Sequence, residues 1–200
     1  MKGGVLIYPI FLSSIIALGV FLEKILSLQT KKVIPPEFLN NLRELVKENK
    51  ISLALDYCIE NDSSMARISI AGLRYFGKDK LEIRYALEEA GRQEVKNLEK
   101  YVEVLSTVAA ISPLLGLLGT VTGMIKTFSV ISLEGVGNPS ILASGISEAL
   151  VATFLGLSVA VSSFVGYKYL IGKLDSLSFK LEEKSNKLIE LLANKEEIVI

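Results

Sequence analysis

At 200 residues, 50% hydrophobic and 22% charged, with a mean hydropathy of +0.44, this chain is too apolar for an ordinary soluble domain and reads as a membrane protein. Its 22 Lys and Arg balance 22 Asp and Glu, so no net basic field exists to collect nucleic acid. Histidine is absent and Cys58 is the single cysteine, which removes the usual general base, the Ser-His and Cys-His nucleophile pairs, the commonest metal ligand and any internal disulfide. The expectation is a protein that is not an enzyme, with no metal and no cofactor, and with Cys58 as a small core residue.

In chain order, a short N-terminus (1–4) leads into residues 5–22, which carry no charge. As a helix they measure about 27 Å, enough to cross a hydrocarbon core. A cleaved signal peptide is the alternative, but the run is long for one and Leu18-Gly19-Val20-Phe21-Leu22 is a poor cleavage site. Residues 23–103 mix charges of both signs and predict a cytoplasmic helical domain. Pro35-Pro36-Glu37 can open a helix with Phe38, Leu42, Leu45 and Val46 on one face, and Asp62-Ser63-Ser64 can cap another running to Gly77. Asp79 with Glu82 reads as a capping box. Beyond it Leu87, Gly91, Val95, Leu98, Val102 and Leu105 recur at three- and four-residue spacing, so one helix is expected to run from Asp79 into the second span.

Residues 104–133 form that span, with Lys126 as the only charge, and residues 141–167 form a third, with Glu148 as the only charge. Between them residues 134–140, rich in Gly, Asn and Pro, read as a turn joining antiparallel helices. Leu170, Leu174, Leu177, Leu181, Leu188 and Leu191 then predict that the third span continues as an amphipathic helix over 168–200. The turn has no Lys or Arg, whereas basic residues flank the other span ends: Lys24, Lys31 and Lys32; Arg92, Lys96 and Lys100; Lys168 and Lys173. By the positive-inside rule the turn and the N-terminus lie outside and the C-terminus in the cytoplasm. The predicted class is thus an all-α, multi-pass membrane protein with three transmembrane helices and long cytoplasmic helical extensions.

Glu148 is the candidate centre of the chemistry. It lies roughly 12 Å inward from the turn by helical rise, where desolvation penalises the carboxylate form and makes it a site for reversible protonation. Thr153 lies farther in on the same helix, and Thr120 on the partner helix supplies a second hydroxyl able to donate and accept. Lys126 falls at nearly the same depth as Glu148. It either pairs with that acid or extends its stem outward to the boundary. Small residues form two stripes, Gly116, Gly119 and Gly123 on the second span and Gly145, Ala149, Ala152 and Gly156 on the third, which would let the helices approach closely. Pro113 frees one helical carbonyl and predicts a kink tolerated only inside a bundle. Three spans enclose no path by themselves, so several copies are expected to surround it.

The run Ala110-Ile111-Ser112-Pro113-Leu114-Leu115-Gly116-Leu117-Leu118-Gly119-Thr120-Val121-Thr122-Gly123-Met124, followed by Gly145-Ile146-Ser147-Glu148-Ala149-Leu150-Val151-Ala152-Thr153, resembles the MotA/TolQ/ExbB proton channel family. With Leu87-Glu88-Glu89-Ala90-Gly91-Arg92 the likeness covers about half the chain, and three spans resemble ExbB and TolQ more than the four-span MotA. The resemblance implies an inner-membrane subunit that forms a homopentamer around an ExbD- or TolR-like single-span protein and couples the proton-motive force to a TonB- or TolA-like protein. It assigns pore-lining roles to Thr120, Glu148 and Thr153. Lys126 departs from the uncharged polar residue usual there, and a pair with Glu148 would alter the acid's role. Two other readings compete: a flagellar-stator subunit of the MotA type, and a membrane scaffold that conducts nothing.

Overall fold

Eight α-helices and no strand make up residues 4–134 and 139–193, which the computed structural model describes. The chain divides into two units: Met1–Lys24 with Tyr101–Leu170, and Ile25–Lys100 with Ile171–Ile200. Of the expected segments, the outer part of the N-terminus (1–3), the centre of the turn (135–138) and the end of the last helix (194–200) lie outside the described residues.

The first, apolar unit contains α1 (Ile7–Ser27) as far as Lys24, α7 (Val102–Glu134) and the first part of α8 (Pro139–Ala193). The intervening helices α2 to α6 belong to the second unit. The three long helices are apolar enough to cross a membrane. In lipid, apolar side chains gain little by turning inward, so these helices keep large hydrophobic side chains on the outside (Phe11, Leu114, Phe128, Phe154 and Val165 are all exposed) and meet through small ones. Gly166 of α8 receives Phe21 of α1 and Leu105 of α7. Phe21 also meets Tyr169 edge-on at 6.4 Å. At the far end of α1 the buried Lys24 ammonium lies 6.0 Å from the centre of the Tyr101 ring.

The second, polar unit packs like a water-soluble core. It contains α2 (Thr30–Val33), α3 (Phe38–Lys47), α4 (Ile51–Glu60), α5 (Ser64–Leu73), α6 (Lys80–Glu99) and the remainder of α8. Phe38, Leu42 and Val46, one turn apart on α3, are fully buried, and Phe38 stacks on Tyr57 at 5.3 Å. Leu174, Leu177, Leu181 and Leu188 bury the inner face of α8. Ser63 caps α5 as its sequence predicts, its hydroxyl accepting from the Ala66 N–H at 3.2 Å, but the helix ends at Leu73, short of the expected Gly77. Asp79 occupies the cap position of α6 but its side chain makes no cap hydrogen bond, so the expected capping box does not form. A cleft of about 530 Å³ between α6 and α8 has Leu87, Val95, Leu181 and Ile189 in its lining, with Arg92 and Glu182 among its charged groups.

The expected single helix from Asp79 into the second span is interrupted. Lys100 leaves helical geometry with ψ 132°, and Tyr101 takes a left-handed φ of 70°. The apolar spacing continues on both sides of the break, so periodicity carries no trace of one residue with a left-handed backbone.

Candidate functional site

The contact between α7 and α8 is a seam of small residues in antiparallel register. A Cβ on Gly156 would meet the Ser112 carbonyl oxygen at 2.5 Å and the Gly116 Cα at 3.0 Å. One on Gly116 would meet the Thr153 Cα at 3.0 Å, and one on Gly123 the Ala149 Cβ at 2.9 Å. Gly119 faces the Ala152 methyl, and Gly145 faces the Thr127 hydroxyl, more tightly still. The two small-residue stripes therefore interlock along the length of the expected spans, and at Gly116 and Gly156, where every near opposing atom is backbone, glycine is required. Pro113 stands inside α7, which remains one helix through it. Beside it Ser112 is fully buried, with no hydrogen-bond partner for its hydroxyl among the described residues, and Pro113 leaves the Ala109 carbonyl without its helical donor.

The polar residues sit on the two edges of this seam. Each helical residue advances about 100°, which puts Thr120 roughly 60° to one side of the α7 stripe and Lys126 a similar angle to the other. On α8 the same count sets Thr153 and Glu148 on opposite sides of the Ala149-Ala152-Gly156 stripe. Contacts agree with the count. The Thr153 hydroxyl donates across the seam to the Gly116 carbonyl at 2.9 Å, one turn from Thr120. The Thr120 hydroxyl donates to Leu117 in its own turn at 2.7 Å. On the other edge, Lys126 Nζ lies 3.8 Å from Glu148 Oε2.

The three residues expected to line one path are thus divided, with two threonines on one edge and the acid on the other. The edges differ in cover. Around Thr120 and Thr153 the large side chains of Leu117, Met124 and Phe128 on α7 and of Ile146, Leu150 and Leu157 on α8 are exposed. The Glu148 edge is where α1 packs, through Phe21 on Gly166 at one end and through Gly4 at the other. Glu148 is accordingly three-quarters covered, its side chain 26% exposed, whereas Lys126 keeps 72% of its side chain accessible while its ammonium reaches the acid. Of the two sequence alternatives for Lys126, this geometry has the pairing one, with the head within ion-pair range of the acid and the side chain largely exposed.

Sequence reasoning missed two features. Gly4, in a left-handed conformation at φ 68°, lies against Glu148, so close that a Cβ there would be 2.5 Å from Oε1. The Gly3-Gly4 pair is the only sequence signal for it. In the polar unit Arg67 clamps Glu94, with Nε to Oε1 at 2.9 Å and Nη2 to Oε2 at 2.8 Å, and reaches Asp62 at 2.7 Å. The bond to Glu94 comes first among the causes that raise the guanidinium above its usual range, and the pairing answers the burial of the Glu94 carboxylate, 8% exposed. Among the described residues no three His, Cys, Asp or Glu side chains are grouped to hold a metal.

The stretch of this chain that matches a known family includes the seam. The sequence model of the MotA/TolQ/ExbB proton channel family matches residues 60–183. The chain belongs to that family. It is 31% identical over 194 residues to a Synechocystis biopolymer transport protein named ExbB-like 3, covering 96% of this chain and 92% of the relative. It is 42% identical over 78 residues to the biopolymer transport protein ExbB of Aquifex aeolicus, covering 39% of this chain and 53% of that one. Against the Tol-Pal system protein TolQ of Haemophilus influenzae it is 39% identical over 85 residues, covering 42% and 37%. As a MotA/TolQ/ExbB protein it is a membrane protein, with three helices long and apolar enough to cross a bilayer, in a family of channel and transport-associated proteins.

Proposed function

We propose that this chain is the multi-copy, proton-conducting subunit of an inner-membrane motor, with Thr120 and Thr153 lining the proton route. The observation that carries this reading is the open threonine edge: two hydroxyls at adjacent turns of a rigid, interlocked seam, inside a broad exposed apolar face. An acidic residue on a partner's single transmembrane helix would need such a wall. The apolar side chains pack its helix, and the hydroxyls can donate and accept as the carboxyl gains and loses its proton. Three spans leave this edge uncovered, so further copies of the chain close it, five by analogy with the family, around an ExbD- or TolR-like protein.

Transferring one proton through 100 mV supplies about 2.3 kcal/mol, so a few protons per step can move a TonB- or TolA-like protein through the assembly. Positive charges flanking the spans orient the N-terminus outside and the C-terminus in the cytoplasm. The scaffold reading has one observation in its favour, because Thr153 donates its hydroxyl proton to a backbone carbonyl and so also serves packing. Volume-conserving Thr120→Val and Thr153→Val changes separate the two. In proteoliposomes holding the complex with its co-encoded single-span partner, conduction predicts loss of potential-driven proton uptake with assembly intact by native mass spectrometry. Unchanged uptake would show that the threonines only pack.

A further inference from the structure

A hydroxyl inside a membrane helix ordinarily donates to a carbonyl of the preceding turn. On α7 Thr107, Thr120, Thr122 and Thr127 do so, at 2.7 to 3.0 Å. Ser112 of the same helix does not: it is fully buried, and its hydroxyl has no hydrogen-bond partner among the described residues. Three residues back lies the carbonyl of Ala109, whose helical donor Pro113 removes. A hydroxyl without a partner and a carbonyl without its helical donor thus stand on adjacent turns, in a span that bulk water does not reach. Leaving both dry is unfavourable.

Their azimuth matters as well. At about 100° per residue, Pro113 and Ala109 each fall within roughly 20° of Thr120, so the released carbonyl belongs to the threonine edge of the seam. Ser112 lies roughly 12 Å inward of Thr120 by helical rise. Midway between them is the Gly116 carbonyl, which accepts from Thr153 at 2.9 Å. Polar groups therefore recur along this edge at Thr120, Gly116 and Ser112, one turn apart each time. Gly156, which α8 sets against the Ser112 carbonyl, adds no side chain at this level.

We infer that the Ser112 hydroxyl and the Ala109 carbonyl bind a water molecule, and that this water is the inner station of the proton route. The inference rests on the conducting reading above and adds a third hydroxyl residue to it. One water satisfies both groups, since it donates to the carbonyl while the serine hydroxyl donates to it or accepts from it. A proton arriving from the threonine level binds a lone pair of this water, and one of the water's own hydrogens leaves on the inner side. The molecule is water again after each passage. Mobile water fills the roughly 12 Å back to Thr120 once further copies and the partner enclose the edge.

The test uses the complex with its co-encoded single-span partner in proteoliposomes and reads potential-driven proton uptake. Ser112→Ala is expected to lower uptake about fivefold, the scale of one lost hydrogen bond, with assembly intact by native mass spectrometry. Ser112→Cys preserves the volume but bonds water weakly, so its uptake should fall with that of alanine, whereas a serine that only packs would leave it at the wild-type rate. Pro113→Ala returns an N–H to the Ala109 carbonyl and should match Ser112→Ala, with no further loss in the double variant because both empty one site. A cryo-EM map that resolves water should place a molecule about 2.7 to 3.0 Å from both Ser112 Oγ and the Ala109 oxygen. Wild-type uptake in Ser112→Cys, additive losses in the double variant, or a Ser112 hydroxyl bonded to its own helix with no water beside it overturns the inference. Thr120→Val with Thr153→Val, run alongside, separates this station from conduction itself. Full uptake in that pair sinks the threonine route, and the map then decides the water site by itself. Lost uptake there, with Ser112→Cys at the wild-type rate, sinks the water station and leaves the threonine route standing.

Discussion

The two units of this chain are both helical yet cohere by opposite means. The polar unit buries leucine, isoleucine and phenylalanine against one another and turns charge outward, as the expulsion of apolar surface from water dictates. The apolar unit leaves its phenylalanines and leucines outside and joins α7 to α8 through glycine, alanine and hydroxyl groups, because lipid offers large apolar side chains no reason to turn inward. The difference teaches what a substitution can be expected to do. Removing volume weakens the polar unit, and adding volume weakens the apolar one.

The largest expected effect probes the closure of the polar core. Burial pushes the Cys58 thiol from 9.0 up to about 12, so at pH 8 its thiolate is about a thousandfold scarcer than an exposed one. Alkylation by iodoacetamide should be slower by at least that factor in the folded chain and become rapid in denaturant. The sign of the pH dependence follows. The folded state favours the neutral thiol, so its contribution is complete below pH 9.0 and is lost as pH rises toward about 12. Denaturation in detergent micelles at pH 8 and pH 10.5 should therefore show a larger alkaline loss for the native chain than for Cys58→Ala. Equal losses would mean the thiol is wetter than the packing around it indicates.

The next effect tests whether charge inside the polar unit obeys the same rule. Arg67→Met keeps most of the side-chain volume but strands the Glu94 carboxylate, 8% exposed, at an expected cost of about 3–5 kcal/mol. Amide hydrogen exchange should accelerate across α5 and α6 and remain as before in α7. Arg67→Met with Glu94→Leu should recover much of the loss, since a well-packed apolar pair often replaces a buried ion pair without penalty.

Much of this architecture was legible in the sequence because its signals are periodic. Three charge-poor runs marked the long apolar helices, Phe38, Leu42 and Val46 marked an amphipathic face, and the Gly116-Gly119-Gly123 and Ala149-Ala152-Gly156 stripes marked the seam. Features resting on one residue's backbone or on a distant partner were not legible. Tyr101 breaks a helix through a single left-handed φ, Asp79 has the composition of a capping box without its hydrogen bond, and Arg67 meets Glu94 across 27 positions. The candidate site was half legible. Thr120, Thr153, Glu148 and Lys126 stood out by type, but their separation onto two edges needs the azimuth of the seam, which only the packing of glycine against backbone defines.

Glycine therefore gives the sharpest test of the contrast, with effects of opposite sign. Gly156 and Gly172 lie on the same helix, α8, in different units. At Gly156 an added methyl meets backbone on the opposing helix at 2.5 and 3.0 Å, atoms that retreat only if α7 and α8 part. Gly156→Ala should cost about 1–3 kcal/mol by overpacking, even though alanine is the better helix former. At Gly172 nothing lies within 4 Å of the same methyl, so Gly172→Ala should stabilise by up to about 1 kcal/mol through helix propensity alone. Thermal denaturation of both variants in one detergent reads the pair directly. The seam accounts for the apolar unit only if the two shifts have opposite sign. If both were stabilising, α7 and α8 would have slack between them, and no fixed azimuth would remain to hold the threonines and the acid on separate edges.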